Sequence, residues 1–208
     1  GAGRVLIYNT IPATNGKAAD VVIGQPGFTG IKVFAPDPRY MKSPSGVWVS
    51  GGKLIVADRD NHRVMIWNSI PTTSFVAANV VVGQPNFTTF TSGLSSTKMN
   101  SPNGVWANGK LVVADSGNNR VLVCNSIPTS NGAPASVVIG QTLFTTNTAG
   151  TSSTALKDPR GVHSNGTKLC ISDHGNHRVL LYNAIPLTSG AGANLVIGQL
   201  DFLSGSPG

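Results

Sequence analysis

The chain has 208 residues, enough for one sizeable core, and its 25 Gly, 13 Pro, complete lack of Glu and 11% charged residues argue against a helical protein. A formal net charge of +7 favours acidic partners over basic ones. No run of about 18 apolar residues offers a membrane span, the first residues lack the pattern of a signal peptide, and two cysteines do not make a disulfide framework.

In chain order, "GRVLIYNTIP" from Gly3 reads as a short strand followed by a Pro-containing loop, and "VVIGQ" ending at Gln25 reads as a second strand. After a connection come "GVWVS" (46–50), a Gly-Gly turn, "KLIVAD" (53–58), a tight turn, "RVMIWN" (63–68), another Pro loop and "NVVVGQ" (79–84). These are four short strands, a to d, bounded by turn residues. The unit then repeats. Arg4, Arg63, Arg120 and Arg178 are spaced by 59, 57 and 58 residues, and Gln25, Gln84, Gln141 and Gln199 keep the same steps. Three full copies after an isolated c and d pair predict 14 strands. Four antiparallel strands per repeat, apolar on both faces, predict an all-β propeller of stacked blades. The chain holds about 3.5 of them, an incomplete ring: a partial blade over 1–25 and blades near 43–84, 101–141 and 158–199. A solenoid of strands is the alternative, although its repeats usually carry fewer strands.

The run "SPNGVWANGKLVVADSGNNRVLVCN", 101 to 125, resembles the NHL repeat, with its Pro, Gly-Val, a strand ending in Ala-Asp and then Asn-x-Arg-Val. The resemblance covers strands a to c of three blades and strand c of the first, and implies a β-propeller. The link from "NSIP" to "VVVGQPNF" resembles a longer-bladed subgroup of secreted or surface bacterial proteins.

Each blade carries an Asp five residues before an Arg, with an Asn two before that Arg: Asp58, Asn61 and Arg63; Asp115, Asn118 and Arg120; Asp173, Asn176 and Arg178. The Asp is expected to accept hydrogen bonds from the turn, the Asn to tolerate a left-handed conformation, and the Arg to pair with the carboxylate and close the hairpin. A motif present in every blade reads as structural, since an active site needs unlike groups converging once. The inner strand a places Trp48, Trp106 and His163 at one repeat position, where they would face the central channel of a ring. Peptide-amidating lyases on related six-bladed propellers hold zinc through channel histidines, but a zinc site needs about three ligands and here one blade offers a His. No nucleophile elbow, phosphate loop or Cys-x-x-Cys is present. No cofactor, metal site or catalytic residue is expected. Cys124 and Cys170 read as occasional core residues.

Lys32, Arg39, Lys42, Lys98, Lys157 and Arg160 fall in the long connections from strand d to the next strand a, on the rim shared with the b-to-c turns. Lys53, Lys110 and Lys168 recur at the start of strand b. The first set defines a basic rim for an acidic polysaccharide or a protein partner. Some NHL propellers bind RNA on such a face, but this rim lacks dense Arg clusters and stacking aromatics, which argues against nucleic acid. Loops such as "TTNTAGTSSTALK" suit an extracellular or cell-surface setting. The reading is a non-enzymatic scaffold for binding or assembly; the alternatives are an enzyme whose site lies in further blades, and a nucleic-acid module. The unpartnered c and d pair predicts either a piece of a larger propeller, six-bladed by the resemblance, or a subunit that joins its own copies head to tail.

Overall fold

The computed structural model describes residues 2–30 and 35–207, and among them lie 14 strands and three single-turn 3-10 helices. Strands β1 (Val5–Ile7) and β2 (Val21–Ile23) pair with each other alone. Three four-stranded antiparallel sheets follow. The first contains β3 (Pro44–Ser50), β4 (Lys53–Asp58), β5 (Arg63–Trp67) and β6 (Val80–Val82). The second contains β7 (Pro102–Asn108), β8 (Lys110–Asp115), β9 (Arg120–Cys124) and β10 (Val137–Ile139). The third contains β11 (Pro159–Ser164), β12 (Leu169–Asp173), β13 (Arg178–Tyr182) and β14 (Leu195–Ile197). Strand order follows chain order in every sheet, as in propeller blades, and the described residues close no ring.

Blades form here because both faces of each sheet are apolar. Strands β4, β5, β8 and β9 are buried along nearly their whole length. Such sheets need a neighbour on each side. Each hydrophobic cluster accordingly lies between two consecutive sheets: Ile23 with Met65 and Trp67, Ile55 and Ile66 with Leu111 and Leu122, and Val112 and Val123 with Ile171 and Leu180. At the inner strands the backbones approach so closely that only glycine fits. A Cβ on Gly46 would clash with Asn103 O, and one on Gly104 would lie 2.5 Å from Arg160 O. Strand a also begins with a register shift in each sheet, next to Pro44, Pro102 and Pro159.

Candidate functional site

The repeated Asp and Arg form a buried clamp between chain segments. Asp58 and Arg63 end the paired strands β4 and β5 opposite each other, and the equivalent pairs do so in the other blades. Asp58 Oδ2 accepts from Arg63 Nε at 2.9 Å and Asn61 Nδ2 at 2.8 Å, while Oδ1 accepts from the backbone N–H of Lys42 at 2.9 Å. Asp115 repeats this with Arg120, Asn118 and the N–H of Asn100, and Asp173 with Arg178, Asn176 and the N–H of Lys157. All three ion pairs are fully buried. The guanidinium's remaining donors go to carbonyls: Arg63 to Phe87, Asp37 and Tyr40, and Arg120 to Phe144, Ser95 and Lys98. Each Arg thereby ties the connection entering its blade to the one leaving it. Burial raises the Asp115 carboxyl above its usual range, opposed by Arg120, the Asn100 N–H and the Asn118 amide.

Two details differ from the sequence expectation. The backbone donor to each Asp comes from the segment entering strand a, not from the turn, whose own N–H groups bond elsewhere: His62 N donates back to Arg59 O, and Arg59 N donates to Ser43 O. The left-handed residue is also not the Asn but the one after it: His62, Asn119 and His177, with φ of 54°, 52° and 52°. The Asn is held inward by its bond to the Asp. The left-handed residue carries an interblade contact that the sequence reading missed. His62 Nδ1 accepts from Ser101 N at 3.0 Å, and Asn119 Oδ1 accepts from Asp158 N at 2.9 Å. Burial lowers the His62 pKa below 6.5, with Lys42 acting in the same direction and Asp60 and Asp58 against it.

The basic rim is partly neutralised by its own neighbours. Arg39 pairs with Asp37 at 3.2 Å, and Asp158 receives both Arg160 at 2.8 Å and His174 at 3.2 Å. Lys98 donates to Gln84 Oε1, while Lys42 and Lys157 are exposed. Lys32 lies outside the described residues. At the start of strand b, Lys53 and Lys110 donate to Asn68 and Asn125.

Trp48, Trp106 and His163 converge at the inner strands. The Trp48 ring lies 6.4 Å from that of Trp106 and 5.5 Å from that of His163, and its Nε1 donates to Ala107 O at 2.8 Å. Trp106 is buried in the interblade core, Trp48 is half-buried and His163 is exposed, so an open lumen would be faced chiefly by the histidine. Among the described residues no three His, Cys, Asp or Glu side chains are grouped to hold a metal. Both cysteines are free; Cys124 is buried, which pushes its thiol up to about 11. No described helix is long and apolar enough to cross a membrane.

The short strands, the Asp and Arg clamp and the glycine approach in the first complete blade describe a known unit. Residues 41–67 match the family model of the NHL repeat. The match covers β3, β4 and β5 with the turn between β4 and β5, and it supports an NHL-repeat family. The second and third blades repeat the same strands and clamp. No curated protein matches the chain.

The unpartnered ends expected from the incomplete array are visible in the burial of the terminal strands. Val47 and Val49 on β3 are 54% and 51% exposed, whereas Val105 and Ala107 at the same positions of β7 are 5% and 1%. On β14, Leu195 and Ile197 are 53% and 52% exposed, against 2% and 0% for Val137 and Ile139 on β10. One face of each terminal blade is therefore bare where inner blades are covered.

Proposed function

We infer that this NHL-repeat array is a non-enzymatic scaffold, of the secreted or surface bacterial type, that works by binding protein partners, its own copies among them. The observation that carries the reading is the repeated clamp: the Asp and Arg pair of each complete blade is buried and spent on fixing the connections, which leaves the exposed loops and rim as the surface for a partner. The acidic side chains support the same reading, because three of the eight are consumed in the clamps and Asp37 and Asp158 are paired on the surface. Ser- and Thr-rich connections fit an extracellular setting, and exposed Lys42 and Lys157 give the rim a modest attraction for an acidic polysaccharide. Light scattering on the purified chain over a hundredfold range of concentration tests the assembly role. Mass above 21.4 kDa that grows with concentration is expected, and a constant 21.4 kDa would remove it.

A further inference from the structure

We propose that the cleft between the second and third blades, on the rim away from the clamps, takes the free C-terminal carboxylate of a peptide that ends in an aliphatic residue; the proposal gives a chemistry to the protein-binding reading above and rests on it. Three loops build the cleft, whose volume of about 640 Å³ lies within the range of ligand sites. Asn108 and Gly109 turn β7 into β8, residues 164–168 turn β11 into β12, and residues 184–187 lead from β13 toward β14. The last two loops are tied together, since Ile185 N donates to Thr167 O at 3.1 Å. Asn165 Oδ1 fixes the turn by accepting from the N–H groups of Thr167 and Lys168. Both blades that form the cleft are complete four-stranded sheets.

The cleft combines one cation, several unengaged hydrogen-bonding groups and one apolar wall. Lys110 is the only ionisable group among the described lining residues. Its Nζ spends one bond on Asn125 Oδ1 at 3.0 Å and keeps two donors. The clamp carboxylate of the same strand, Asp115, lies at the other end of β8, about 17 Å away at ~3.3 Å per residue. An anion therefore meets Lys110 without a competing acid. Asn125 Nδ2, the Asn108 amide and the Thr167 hydroxyl have no partner among the described residues. These groups suit the amides of a peptide backbone, whereas a plain aliphatic acid offers them nothing. The wall is Ile185, Pro186 and Leu187, with Leu187 72% exposed. It is particular to this cleft, because Ser126 and Thr129 stand in the second blade's loop where the third has Ala184 and Leu187. A carboxylate next to an aliphatic side chain, with amide groups behind it, is what the last residues of such a peptide present.

Fluorescence anisotropy of the tetrapeptide Gly-Ser-Val-Leu, labelled at its N-terminus, tests the assignment on the 208-residue chain. Salt at about 0.15 M screens the long-range attraction of the net charge. The free acid should bind at least tenfold more tightly than the same peptide with a C-terminal amide, a comparison that needs no variant. Lys110→Met should bring the acid down to the level of the amide, and Leu187→Ser should weaken acid and amide alike. Lys42→Met, at an exposed position on the clamp rim, should change neither. Equal binding of acid and amide overturns the proposal, as does an equal loss from Lys42→Met and Lys110→Met, which would assign the binding to charge alone. Octanoate that displaces the labelled peptide as well as the unlabelled peptide does overturns it in favour of a small aliphatic acid. Failure of both peptides to bind overturns it too, while the self-association reading stands or falls separately on light scattering.

Discussion

Replacing Asp115 with Ala isolates the clamp in the best-covered blade. Its carboxylate is fully buried and accepts three bonds, from Arg120 Nε at 2.7 Å, Asn118 Nδ2 at 2.9 Å and Asn100 N at 2.6 Å. Truncation leaves the buried Arg120 charge with carbonyl partners only, and leaves the Asn100 N–H and the Asn118 amide short of an acceptor. Breaking a buried pair from one side costs about 3–5 kcal/mol, a large part of the ~5–15 kcal/mol that holds a typical domain together. The exposed pair of Asp158 and Arg160 provides the contrast, since Arg160→Ala should cost about 0–1 kcal/mol. Urea unfolding followed by tryptophan fluorescence measures both variants through the shift in midpoint at constant slope. Removing the whole pair should not restore stability as it does in simpler cases, because the carbonyls of Phe144, Ser95 and Lys98 lose their donor. Equal losses in the Asp115 and Arg160 variants, or a loss below about 1 kcal/mol at Asp115, would refute the clamp argument.

Two further variants probe single atoms. His62 has a lowered pKa and accepts a backbone N–H, so the unfolded chain binds the proton more readily; stability is therefore lost as pH falls from 6.5 toward the folded value. His62→Asn copies Asn119 and should shrink the difference in melting temperature between pH 8 and pH 5, and an unchanged difference would count against the Ser101 bond. The Tyr182 hydroxyl is buried without a partner among the described residues, whereas Trp67 at the same repeat position donates to Val76 O at 3.1 Å. Tyr182→Phe should be neutral or stabilising by about 1 kcal/mol, and a loss in urea unfolding would show that the hydroxyl is satisfied.

The repeat made the strands legible because periodic apolar runs and turn residues determine where chain segments pair. Strands b and c fall where expected, at Lys53–Asp58 and Arg63–Trp67. Strand d is shorter than its apolar run implies, only Val80–Val82, because Gly83 turns at φ +88° and Gln84 leaves the sheet to donate to the carbonyls of His62 and Thr91. The ion pairs were also readable, since Asp and Arg end adjacent strands. Their other partners were not. The carbonyls that Arg63 and Arg120 reach lie more than 20 residues away in connections with no periodic signal. Burial depends on neighbours as well as residue type: Val47 and Val105 are identical in sequence and differ only in whether another blade stands in front of them.

That observation bears on why the long connections can be so plain in composition. The segment "TTNTAGTSSTALK" has few groups that could fold it, and such Ser- and Thr-rich stretches usually stay mobile. Here it is held through its backbone. Gln141 Nε2 donates to Thr148 O, Asn176 Nδ2 to Gly150 O, and Arg178 to the carbonyls of Thr151, Ser152 and Ala155. Leu156 alone anchors it in the core. Because carbonyls are the same in every residue, the ordering information sits in the Gln, Asn and Arg of the blades and not in the connection itself. The connections are thus free to vary in side chain while keeping their path, and the blades that supply the donors cannot vary at those three positions without releasing the loop beside them.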